Sequence, residues 1–163
     1  MADNLTDSIL TVSLRIFDLL TNEASLLGIE GVSYGDQAFV PKTPWACIEP
    51  GRKTRPLDGV PDMTLNEISV YILVYHSVVS PNPEATGGTQ STRMDSIRFA
   101  EAIEKWLHIS HLNLRDAAGD RIVIHGWCTE TDPGYTFKQQ QQTLYNSVQL
   151  TWTGLTKTRL QQL

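Results

Sequence analysis

The chain has 163 residues, of which 40% are hydrophobic and 19% charged, with a formal net charge of -5. That length suits one domain with a proper hydrophobic core, and the composition excludes a disordered chain. The acidic balance argues against a general nucleic-acid binder, which carries a basic surface.

No apolar run approaches the ~20 residues that cross a bilayer, so no membrane partner is expected. The opening Met-Ala-Asp-Asn is polar and unlike a signal peptide. A cytoplasmic place of synthesis and use is the expectation. Two cysteines, Cys47 and Cys128, are too few for a disulfide scaffold. Each sits in an apolar run and reads as a small buried hydrophobe.

The first predicted element is a helix over about residues 5 to 27. Ile9, Val12, Ile16 and Leu19 recur at helical spacing, and Leu20, Leu26 and Leu27 widen the stripe. Gly28 follows and suits the left-handed residue that closes a helix. Residues 28–44 hold three glycines and two prolines and read as a long loop. A short strand, Trp45 to Glu49, closes at Pro50-Gly51. Residues 51–63 read as a second loop, with Arg52, Lys53 and Arg55 clustered at its start.

The clearest strand covers about Leu65 to Val79. Ile68, Val70, Ile72, Val74 and Val78 share one face at period two. The other face carries Glu67, Ser69, Tyr71, Leu73, Tyr75 and Ser77. One apolar face and one mixed face are the mark of an antiparallel sheet with a single core side. Tyr71, Leu73 and Tyr75 on the mixed face suit either a protein contact or packing under a local loop.

Residues 80–90 are almost free of apolar side chains and read as a polar mobile arm. A second helix follows over about Thr92 to Leu107. Thr92 and Asp95 resemble a capping box, and Ile97, Ala100, Ile103 and Leu107 form its stripe, with Phe99 and Trp106 alongside. Leu112 to Leu114 reads as a short strand that turns at residues 117–120 into Arg121 to Thr129. In that second run Ile122 and Ile124 take one face, and Val123 and Trp127 the other. Residues 130–142 read as a polar loop with a turn at Asp132-Pro133-Gly134. The last strand, about Leu144 to Leu155, sets Leu144, Val148, Leu150 and Trp152 on one face. Ser147, Gln149, Thr151 and Thr153 take the other.

The expected fold is therefore one α+β domain. It is a two-layer sandwich in which two amphipathic helices pack on an antiparallel or mixed sheet, with several long loops. Four loops of this length in a small domain suggest segments ordered by a partner.

Chemistry-bearing patterns are sparse. His108, His111, His125 and Cys128 are zinc-type ligands, but they straddle a helix end and opposite faces of a strand. No Gly-x-Ser-x-Gly elbow, Walker-type loop or Gly-x-Gly-x-x-Gly run is present. His76, Tyr75 and His125 would need a shared concave pocket to act together. His76 and His125 read as packing residues. No catalytic residue, metal or cofactor is expected, and the chain reads as a structural subunit rather than an enzyme. Arg52, Lys53 and Arg55 are the sharpest charge feature, placed to meet a neighbour's acidic surface or passing DNA, or simply to stay solvated.

The closing run Tyr145-Asn-Ser-Val-Gln-Leu-Thr-Trp-Thr-Gly-Leu-Thr-Lys157 resembles that of the tail terminator proteins of long-tailed bacteriophages. So do the order of elements, the Pro44-Trp45 lead into a strand and the polar arm after the long strand. The resemblance spans most of the chain as a pattern rather than as a catalytic motif. It implies a ring, commonly a hexamer, that caps the tail tube and joins it to the head. The implied partners are the chain itself, the tail tube protein and the head–tail connector, with transient contact with passing DNA, all within the virion. Arg52, Lys53, Arg55, Tyr71, Leu73 and Tyr75 are then the expected subunit or lumen contacts. The alternatives are another head–tail connector component, such as a head-closure or adaptor subunit, or a small ligand-binding or enzymatic α+β domain.

Overall fold

Helix α1 spans Ile9–Glu23 and starts where the Ser8 hydroxyl accepts a hydrogen bond from the Thr11 amide at 3.2 Å. Its stripe of Val12, Ile16 and Leu20 is completely buried. The chain then continues in tight turns to Gly28. There the Ile29 amide donates to the Ala24 carbonyl and the Gly28 amide to the Ser25 carbonyl, with Gly28 at φ +75. This double closure needs a left-handed residue, which glycine supplies without strain. Leu26, expected in the stripe, is instead 83% exposed, because it lies in these turns past the helix proper.

The computed structural model describes residues 5–54, 63–78 and 88–159. Its further elements are β1 (Gly31–Tyr34), β2 (Trp45–Thr54), β3 (Met63–Ser77), α2 (Gly88–Ser110), β4 (His125–Lys138) and β5 (Thr143–Arg159). The five strands form one mixed sheet in the order β1-β2-β3-β5-β4. β1 runs parallel to β2, and every other neighbouring pair is antiparallel. The protein is thus α+β, with two helices on a five-stranded mixed sheet.

β3 and β5 pair along their whole shared length, from Met63 opposite Arg159 to Ser77 opposite Tyr145. Their alternation does what the pattern predicts. Ile68, Val70, Ile72 and Val74 of β3 and Val148, Leu150 and Trp152 of β5 are fully buried on one face. α1 packs over β1 to β3, and α2 over β3 to β5. Ala100, Ile103 and Leu107 of α2 join Val12, Ile16 and Leu20 of α1 in one continuous core with that face. Trp152 lies across the cross-strand pair Gly126 and Gly154, where neither residue leaves a side chain in its way.

Several sequence expectations change. Residues 28–44 are not one loop, since they contain β1, which pairs with Trp45–Ile48. β2 does not stop at Pro50-Gly51. It bulges there and runs on to Thr54, so Arg52 and Lys53 belong to a strand rather than to a loop start. Residues 55–62 and 79–87 lie outside the described residues, so the rest of the second loop and most of the polar arm do too. α2 already begins at Gly88, which places Thr92 inside the helix. The Thr92 hydroxyl donates to the Val78 carbonyl at 2.9 Å, so it ties α2 to the end of β3 rather than capping a helix.

Leu112 to Leu114 forms no strand. Only an isolated bridge, Arg115 to Arg121, marks the expected hairpin. Ile122 and Val123, assigned to opposite faces, are both buried. Residues 130–138 are not a loop but the second half of β4, and the turn falls at residues 139–142 instead. Pro133 misled because proline normally ends strands. β4 is an edge strand, where a missing amide donor costs nothing on the open side. Leu144, expected on the apolar face of β5, is 45% exposed. One of the four expected loops, 130–142, is largely strand, and 28–44 and 51–63 each give residues to β1, β2 or β3, so loop length by itself no longer argues for an assembly.

Candidate assembly surfaces

The sheet face away from the helices can be read row by row, because directly opposed residues share a face. Glu49, Tyr71, Thr151 and Glu130 align in one row, and Cys47, Leu73, Gln149 and Asp132 in the next. Ser69, Thr153 and Trp127 form a row nearer the start of β3, and Glu67 stands opposite Leu155. This face is polar and carries four carboxylates, Glu49, Glu67, Glu130 and Asp132. Glu67, Glu130 and Asp132 are exposed.

One end of this face is covered by the chain between β1 and β2. Val40, Cys47, Tyr75 and Tyr145 form a small second core there, with Trp45 and Leu73 against it. Asp36 organises it. Its Oδ1 accepts from the Tyr75 hydroxyl at 2.8 Å and from Lys138 Nζ at 2.7 Å, and that ammonium sits 4.8 Å from the Tyr75 ring centre. The Gln141 side chain then clamps the Val40 backbone, accepting from its amide at 2.8 Å and donating to its carbonyl at 3.0 Å. Burial, and then the Asp36 hydrogen bond and charge, push the Tyr75 phenol well above its usual range. Burial also raises the Cys47 thiol.

The expected contact residues therefore separate. Tyr71 and Leu73 are half-buried on the open face, with Leu73 leaning on the second core. Tyr75 is only 1% exposed and belongs to the second core rather than to the open surface. Lys53 is paired with Asp7 at 3.1 Å, whereas Arg52 is exposed. Arg55 lies outside the described residues. The basic trio is thus not one patch: of the two described members, only Arg52 is fully presented to solvent.

At the other side of the sheet, β4 is bound to α2 from above. The Cys128 amide donates to His108 Nε2 at 2.8 Å, and Thr131 Oγ1 donates to Glu104 at 3.4 Å. Arg93 donates to the Tyr135 hydroxyl at 2.9 Å and lies 4.9 Å over its ring. Even so, Tyr135 and Phe137 are 53% and 51% exposed. The acidic pair Glu130 and Asp132 and the aromatic pair Tyr135 and Phe137 were hidden in the sequence by the expected loop. Strict alternation of Tyr135 and Phe137 was the available signal.

Of the candidate ligands, His108 lies against the Cys128 backbone, and His108 and His111 line the same cleft. His76 stacks on Phe99 and His125 on Trp127, both as packing residues. Among the described residues no group of three or more His, Cys, Asp or Glu side chains could hold a metal ion. Burial, with a smaller push from Glu104, raises the Cys128 thiol to about 12. A cleft of about 590 Å³ lies at the end of α2, lined by residues that include Arg15, His108, His111, Arg115 and Asp116. Tyr75, His76 and His125 do not line it. Arg15 is spent there in tying α1 to the backbone carbonyls of Arg115 and Asp116. No helix among the described residues is long and apolar enough to cross a membrane.

No protein-family model matches the chain, and no curated protein is detectably similar to it.

Proposed function

We propose that this chain is a structural virion subunit, a tail terminator that forms a ring on the tail tube and joins it to the head and neck. The observation that carries the reading is the division of the sheet into two unlike faces. One face carries the two helices and the core, an arrangement we read as a two-layer α+β sandwich. The other is broad, polar and acidic, and it is bounded by β1 and β4, which pair with no further strand among the described residues.

In a ring, the acidic face suits the channel side. Like charge keeps DNA from adhering while it passes, and an uncovered polar sheet is stable in contact with water. The helices then face outward. Sheet edges and exposed apolar side chains such as Phe137 and Leu144 are left for protein neighbours: other copies, the last tube ring and the head–tail connector. The mechanism is geometric. A ring seated on the tube end stops further growth and presents a new surface to the neck. It requires no cofactor and no chemistry at a catalytic centre.

Negative-stain imaging of the protein, alone and mixed with tail tubes of its own phage, tests this. Rings, or a cap on one tube end, are the expected result. Small single particles that ignore the tubes would overturn the terminator reading, and binding to isolated head connectors instead would favour a head-closure or adaptor role.

A further inference from the structure

Both open edges of this sheet are guarded along part of their length, and the unguarded stretches match. On β4, a bulge between Cys128 and Glu130 and then Pro133 disrupt the first half. Bulges and proline are the devices that stop stray strands from adding to an edge. After Pro133 the pairing with β5 is regular from Gly134 to Lys138, with neither device present. On the opposite side of the sheet, β2 beyond Ile48 has the same protection, Pro50 and a bulge between Pro50 and Lys53. The four residues of β1, Gly31–Tyr34, have none, and they hydrogen-bond to a strand on one side only among the described residues.

Direction also matches. β1 is parallel to β2, and three antiparallel steps separate β2 from β4. β1 and β4 therefore run in opposite senses. Copies set side by side in one orientation bring β4 of one against β1 of the next as an antiparallel pair. This is a heterologous contact, the kind that closes into a ring.

Charge follows the same register. With Lys138 opposite the neighbour's Gly31, Tyr135 lies opposite its Tyr34, and Pro133 to Glu130 extend past the end of β1. They come abreast of the neighbour's Pro50 to Thr54, about 10 Å away at two strand spacings. Exposed Glu130 and Asp132 then face exposed Arg52 across that gap. Tyr135 and Phe137, over half exposed, lie on the helix side of the sheet, where the neighbour brings β1 with α1 packed over it.

Resting on the ring reading above, we infer that the subunit contact is strand addition between Gly134–Lys138 of one copy and Gly31–Tyr34 of the next. Arg52 of the second copy is paired with Glu130 and Asp132 of the first. The β4–β1 hydrogen bonds supply affinity, and the charges select the register.

Hydrogen–deuterium exchange on the full chain tests the contact, comparing free protein with protein assembled at high concentration or on tail-tube ends. Amides in both 31–34 and 134–138 should gain protection on assembly. Arg52→Glu and Asp132→Arg should each weaken assembly about tenfold by placing like charges together, and the double variant should recover most of the loss. Thermal melting of each variant monitors folding, and the exchange result on the unaltered chain decides the matter if a variant misfolds. An assembly in which these two stretches exchange as in the free chain overturns this contact and leaves the ring standing. Failure to assemble at any concentration or on tubes overturns both.

Discussion

Gly126→Ala should cost far more than one methyl group suggests. A Cβ built on Gly126 falls 2.1 Å from Cζ2 of Trp152 and 2.5 Å from Cε2, and one on Gly154 falls 2.4 Å from Cη2. Ordinary carbon contacts are about 3.5–4.0 Å. The indole must therefore retreat by more than about 1 Å, and it is completely buried between the sheet and the core. Overpacking of this kind costs about 1–3 kcal/mol, and the rigid ring places the cost near the top of that range. For a chain of this size about 2–3 kcal/mol corresponds to a fall in Tm of about 4–12 °C. Far-ultraviolet circular dichroism melts would measure it. In a Trp152→Leu background the obstructing ring is gone, so the same substitution should cost at least about 1 kcal/mol less, a coupling a double-mutant cycle resolves. Equal cost in both backgrounds, or a Gly126→Ala melt that matches the parent, would refute the reasoning.

Two other outcomes follow from the electrostatics. Lys138→Met should destabilise the chain by about 1–3 kcal/mol in urea titrations. It removes the cation 2.7 Å from Asp36, whose side chain is about one-third exposed, and a silent Lys138→Met would show that the pin does not hold this segment. His111 has its folded-state pKa lowered, first by burial and then by the Arg15 charge. The unfolded chain therefore takes up the proton at a higher pH than the folded one, so the His111 contribution is present above about 6.5 and is lost as pH falls through that value toward the folded pKa. Urea titrations at pH 7.5 and 5.5 should show this loss, and His111→Gln should flatten it; an unchanged slope in the variant would assign the loss elsewhere.

Much of the core was legible in the chain because it obeys local periodicity. The Val12–Ile16–Leu20 stripe, the alternation of Ile68 to Val74 and of Val148 to Trp152, and the closure at Gly28 all depend on a few neighbouring residues. Those patterns specify a helix or a half-buried strand wherever they occur, and they were enough to predict two helices and a sheet in one α+β chain. Arg52 could be singled out for the same reason, as charge is written residue by residue.

Strand position within the sheet could not be read this way. Pro133-Gly134 spells a turn, and becomes strand only because β4 lies at an edge whose outer amides need no partner. β1 is four residues long and exists through a parallel pairing set by the chain that returns to Trp45. Tyr75 sits on the mixed face of β3, yet it is buried because Asp36 and Lys138, 39 and 102 residues apart along the chain from their partners Tyr75 and Asp36, converge on it. Local sequence therefore determined which side chains seek the core and in what rhythm. Tertiary structure decided which strands became edges, which polar groups were spent inside and which face was left open, because those outcomes depend on contacts between residues far apart in the chain.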